Sequence, residues 1–122
     1  MREEITREFL KERKRLNEIV MKYSSDKIKK IYSLDSQIYE EGVLPKKMKE
    51  LLGLIASLVL RCDDCIKYHL VQCYDSNVST DELNEALAIA LIIGGSITIP
   101  HLREIFALWD EFNRKMHGSG EN

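Results

Sequence analysis

An all-α domain of about six helices is the fold that this 122-residue chain predicts, and three observations predict it. Apolar residues recur at helical spacing through most segments, no stretch shows the strict apolar-polar alternation of a half-buried strand, and cap residues, prolines and glycines divide the chain into helix-sized pieces. At this length a single domain over residues 1–122 with one core is expected, and no second domain or internal repeat is evident.

The elements follow in order. Glu3 to about Tyr23 is dense in Glu, Lys and Arg, with Ile5, Phe9, Leu16, Ile19, Val20 and Tyr23 forming a rough apolar stripe, so a long amphipathic helix is predicted. Ser24-Ser25-Asp26 supplies cap chemistry for a second helix carrying Ile28, Ile31, Tyr32, Leu34 and Ile38, with Gly42 as its stop. Pro45 opens a third, because a first turn does not use the amide that proline lacks. That helix carries Glu50 and the run Leu51 to Leu60. A fourth starts near Cys62 and runs to about Tyr74, where Asp75-Ser76-Asn77 reads as a turn. Ser79-Thr80-Asp81-Glu82 has the form of a capping box for a fifth, which ends at Gly94-Gly95. Pro100 opens the last, bearing Leu102, Ile105, Phe106, Trp109 and Phe112, and Gly118-Ser119-Gly120 reads as a frayed tail. The aromatic set reads as core or subunit contact. Ala86 to Ile93 is apolar on every face and too short for the roughly 20 residues that span a bilayer. Burial in an oligomer is expected to cover it.

Charge narrows the partners. Eighteen basic and twenty acidic residues are interleaved, for a net charge of -2, so neither nucleic acid nor an anionic membrane is expected as a partner. The opening Met1-Arg2-Glu3-Glu4 is charged and helix-like, with no basic leader before an apolar segment, so a cytoplasmic location is expected. Three cysteines cannot all pair within one chain, and a reducing compartment favours a catalytic or metal role for the close pair. Cys73 is the odd one.

The chemistry concentrates in Cys62-Asp63-Asp64-Cys65, followed by Ile66-Lys67-Tyr68-His69. Two thiols three positions apart can close a disulfide. On a helix Cys65 and His69 stand at i and i+4, so the imidazole can take the Cys65 proton or steady its thiolate. A cysteine in the first turn meets unpaired amides and the positive end of the helix dipole, and by that argument alone Cys62 is the nucleophile. Asp63 and Asp64 complement the same dipole yet oppose further negative charge beside the thiols.

The block from Lys49 to Ser57, the Cys62, Cys65 and His69 set, and the stretch Ser79 to Ala90 running into Gly94-Gly95 and Ser96 resemble the carboxymuconolactone decarboxylase superfamily. Within it the chain is similar to the thiol-dependent, alkylhydroperoxidase D-like branch, with a family core at about 44–115. The resemblance implies a peroxide-reducing oxidoreductase with catalytic residues Cys65, Cys62, His69 and Glu50. In that scheme Cys65 attacks, Cys62 resolves, and Glu50 serves as base or proton relay. It also implies regeneration by an external dithiol or thiol protein, no bound cofactor, and assembly as a homotrimer or homohexamer. Peroxidase members of the branch often carry histidine where Asp64 stands, which bears on peroxidase rate more than on thiol exchange.

Two helices of equal rise turning near Leu60-Arg61 would put Glu50 beyond the cysteines and nearer His69 in height. A solvated glutamate among Lys46, Lys47 and Lys49 is the plain alternative. His101 and His117 have no expected catalytic role, Tyr68 is expected to be a packing or pocket residue, and Glu85 to lie on a surface or interface. Other functions stay open: general disulfide reduction, a non-enzymatic redox sensor, or a zinc site built from Cys62, Cys65, His69 and Cys73.

Overall fold

In the computed structural model, which describes the backbone of residues 2–121 and the side chains of residues 6–114, the chain is all-α. Six helices appear among the described residues: α1 (Arg2–Tyr23), α2 (Asp26–Ile38), α3 (Lys46–Leu60), α4 (Asp63–Asp75), α5 (Thr80–Gly94) and α6 (Ile99–Glu121), with a 3-10 turn at Ser96–Thr98 before α6. No strand occurs among them. None of the helices is long and apolar enough to cross a membrane.

The helices fall into two compact units, residues 1–40 and 41–122. In the first, Ser25 caps α2 by accepting the Ile28 amide at 3.4 Å. α2 ends at Ile38, four residues before Gly42 and so earlier than expected, and it has no buried residue. Leu16, Ile19, Ile31, Leu34 and Ile38 are exposed. The side chains of Ile5 and His117 lie outside the described residues.

The second unit holds the core and the thiols. α3 packs on both α4 and α5, and α6 packs on α4. Leu54, Leu58, Leu70, Leu83, Leu87 and Ile105 are fully buried between them. Trp109 belongs to this core: its ring meets Tyr74 edge-on at 5.2 Å and its indole N–H donates to Thr80 Oγ1 at 3.0 Å. A buried indole with its one donor satisfied is structural, as expected.

Two turns set the register. Arg61 has φ 59° and ψ 42°, a left-handed conformation that L residues adopt at a cost of roughly 1–2 kcal/mol. It closes α3 in a Schellman pattern, the Arg61 amide donating to the Leu58 carbonyl and the Cys62 amide to that of Ser57, each at 3.0 Å. The chain therefore reverses in two residues, and Cys62 falls at the N-cap of α4. Asn77, φ 66°, ends α4 in the same way. The capping box at the start of α5 is complete: Ser79 Oγ accepts the Glu82 amide at 3.0 Å and Glu82 Oε1 accepts that of Ser79 at 2.9 Å.

Two expectations need adjusting. α6 runs through Gly118-Ser119-Gly120 to Glu121 in place of a frayed tail, since glycine in a helix costs only about 1 kcal/mol and does not forbid it. The stretch Ala86 to Ile93 is buried on one side only. Ala86, Leu87 and Ala90 are covered, while Ile89, Ile92 and Ile93 are 51%, 83% and 66% exposed.

Candidate active site

The site is built on the α3-α4 hairpin. Because the turn is so short, α3 runs back alongside α4, and Glu50 in its first turns comes level with His69 in the second turn of α4. Glu50 is 1% exposed. Its Oε1 lies 2.9 Å from His69 Nδ1, and its Oε2 accepts from Lys46 Nζ at 2.8 Å. The reading of Glu50 as a solvated surface glutamate is thus excluded, and its expected height beside His69 is what the structure has. Its two oxygens are thus engaged by His69 and Lys46, so a proton passed from Glu50 toward Cys65 goes by way of the imidazole.

His69 is itself 9% exposed, and the Tyr68 ring meets it edge-on at 5.4 Å. An ionised carboxylate only accepts, so pairing with Glu50 places a proton on Nδ1 and leaves Nε2 as the basic nitrogen of the neutral ring. The i, i+4 relation puts that ring on the same face of α4 as Cys65.

The two thiols differ. Cys62 is the N-cap of α4, half-buried, and its Sγ accepts the Cys65 amide at 3.4 Å. That is the position at which a helix favours negative charge. Cys65 is exposed, and its thiol is pushed up to about 11. The hydrogen bond with Cys62 is the largest cause, followed by desolvation and by the negative charges of Cys62 and Asp64. Cys65 is therefore a neutral thiol at physiological pH and has to lose its proton as it reacts. Cys73 is fully buried, and burial, with the Glu50 charge adding to it, pushes its thiol up to about 12. It is a core residue.

The zinc alternative does not survive this geometry. No group of three or more His, Cys, Asp or Glu among the described residues is disposed to hold a metal ion. Cys65 and Cys73 stand eight residues apart on one helix, about 12 Å along its axis at roughly 1.5 Å per residue. Ligands of one tetrahedral ion lie about 4 Å from one another.

Two neighbours of the site were not expected. Lys46 grips Glu50 from one turn away, and its i, i+4 spacing was the signal in the sequence. His101, in the first turn of α6, places Nδ1 2.7 Å from Oδ1 of Asp63, the residue between the N-cap cysteine and the rest of α4. Thirty-eight residues separate the two, so no local pattern announces that contact. Glu85 is exposed on α5.

Comparison with known proteins identifies the family and the fold. Residues 29–108 match the Carboxymuconolactone decarboxylase family. The chain belongs to that family. Two crystal structures of a Thermotoga maritima protein superpose with TM-scores of 0.87 and 0.86, at 48% and 49% identity, over 92% and 94% of this chain and 97% of theirs. That protein is a carboxymuconolactone decarboxylase family member for which involvement in an antioxidative response has been suggested. A Legionella pneumophila member of the family superposes with a TM-score of 0.66 at 26% identity, over 90% of this chain and 91% of its own. An uncharacterized protein of Cupriavidus necator is 30% identical over 74 residues, which span 61% of this chain and 66% of that protein, just under two thirds of its length. The Glu50, Cys62, Cys65 and His69 set thus sits in a carboxymuconolactone decarboxylase fold.

Proposed function

We propose that the chain is a thiol-dependent oxidoreductase that reduces peroxides through Cys62 and Cys65. The observation that carries this reading is the buried Glu50-His69 pair on the Cys65 face of α4, one turn from a thiol that must be deprotonated to react. As Cys65 Sγ attacks the terminal peroxide oxygen, His69 accepts the thiol proton. The O–O bond breaks, the imidazolium returns the proton to the departing alkoxide, and Cys65 is left as a sulfenic acid. Cys62 then attacks that sulfur, forming the disulfide and releasing water. An external dithiol of the cell restores both thiols and is itself oxidised to a disulfide. Turnover of this kind suits a reducing compartment such as the cytoplasm.

A second reading has its own support. Cys62, whose sulfur accepts a helix amide, is the better placed of the two to carry charge, which favours it as the attacking group in general thiol-disulfide exchange.

Peroxide consumption with several dithiol reductants tests the proposal, run beside Cys62→Ser and Cys65→Ser. Wild type is expected to turn over and both variants to stop after at most one equivalent. Dimedone should label Cys65 in Cys62→Ser, and Cys62 should stay unlabelled in Cys65→Ser. Turnover by both variants at the wild-type rate contradicts the scheme, and the reverse labelling assigns attack to Cys62.

The exposed Ile89, Ile92 and Ile93 on α5 support an assembly of several copies, a trimer or hexamer. Light scattering at micromolar concentration is expected to give such a mass, and a clean monomer would refute it.

A further inference from the structure

One titratable pair beside the thiols, Asp63 and His101, takes no part in the proposed redox steps. Asp63 follows Cys62 directly and opens α4, with its side chain 73% exposed. A carboxylate there complements the helix dipole, but directly after the N-cap cysteine it also opposes negative charge on a thiol in the first turn. Asp64, the next residue, acts in that direction on Cys65. Asp63 differs in one respect: Nδ1 of His101 reaches its Oδ1 at 2.7 Å from another helix. The His101 side chain is 22% exposed, so the imidazole is largely enclosed where it meets the acid. A carboxylate only accepts, and the proton of this short bond is therefore on the imidazole whether the ring is neutral or charged. In both cases the donor draws on the carboxylate lone pairs and turns part of its field away from the thiols.

We infer that His101 is a positioning residue of the thiol site, which acts through Asp63 to favour the thiolate in the first turn of α4. The inference rests on Cys62 and Cys65 reacting as thiolates, and it adds to the redox reading a residue that touches neither sulfur. Its consequence for the redox couple has a definite sign. Support for the thiolate stabilises the reduced form and makes the disulfide a better oxidant. Loss of His101 should make the thiols slower nucleophiles and the disulfide harder to reduce.

The test is a double-mutant cycle with His101→Ala, Asp63→Asn and the double variant, reading the rate of iodoacetamide alkylation of Cys62 and Cys65 at neutral pH. Because the Asp63 carboxylate is largely exposed and screened by solvent, the effect is modest, and His101→Ala is expected to slow alkylation about two- to fivefold. In the Asp63→Asn background the same change is expected to have no effect, because the charge it screens is gone. The redox potential should fall in parallel, a fivefold change corresponding to about 20 mV for a two-electron couple in which tenfold is about 30 mV. Wild-type alkylation rates in His101→Ala overturn the inference, as does equal slowing with and without the Asp63 charge. If His101→Ala does not fold, Asp63→Asn alone decides, with faster alkylation expected and slower alkylation contradictory. The redox reading is judged separately by disulfide formation in the wild-type protein, and its failure leaves the alkylation cycle readable.

Discussion

On the proposed scheme, replacing His69 with alanine is expected to slow peroxide oxidation of Cys65 by about 10²–10⁴-fold, the usual worth of a positioned general acid-base group. The reason lies in the Cys65 thiol, which is pushed up to about 11 and so is protonated when the peroxide arrives. Without His69 the reaction must draw on preformed thiolate, which at pH 8 is on the order of 10⁻³ of the total and grows about tenfold with each pH unit until pH approaches about 11. The rate of His69→Ala should therefore climb steeply over pH 7 to about 10, whereas the wild-type rate, with the proton passed within the site, should be flatter. Stopped-flow oxidation across that range checks both statements. Parallel pH profiles for the two proteins would show that His69 takes no part in moving the proton.

Glu50→Gln is expected to be nearly as damaging. Oε1 meets His69 Nδ1 at 2.9 Å while Lys46 holds Oε2 at 2.8 Å, so the carboxylate sets both the orientation and the tautomer of the imidazole. Glutamine keeps the volume but can present an amide N–H to Nδ1, which moves the ring proton to Nε2 and removes the base from the Cys65 face. Loss of a carboxylate that orients a catalytic imidazole costs up to about 10⁴-fold in rate. Oxidation rate and thermal melting are to be measured together on the Gln variant. An alanine would also empty a fully buried position and mix a folding defect with the chemical one. Oxidation at the wild-type rate would reduce Glu50 to a packing role.

Much of the fold is legible in the sequence because its signals are local. Ser25 and the Ser79-Glu82 box act on amides within three residues of themselves, Pro45 needs only its fixed φ, and the structure uses each of them at a helix start. The ends are less legible. α2 stops at Ile38 without a glycine, and α3 is closed by Arg61 in a conformation for which the sequence pattern favours glycine. The site divides along the same line. Cys62, Cys65 and His69 fall on one helix, where spacing alone relates them. Glu50 sits among lysines, a composition that reads as surface, and only the two-residue reversal at Arg61 brings α3 back to bury it against His69. The zinc alternative looked plausible by ligand type, and the length of α4 between Cys65 and Cys73 removes it. His101 reaches Asp63 only through the packing of α6 on α4.

Mass spectrometry of the peroxide-treated wild-type protein addresses the redox pair most directly. Cleavage after Arg61 and Lys67 releases Cys62 and Cys65 in a single peptide and leaves the buried Cys73 in another. The proposed chemistry predicts that this peptide loses two hydrogens on treatment and regains them with a dithiol. A peptide that instead accumulates sulfinic acid at either cysteine, with no disulfide at any peroxide dose, would contradict it.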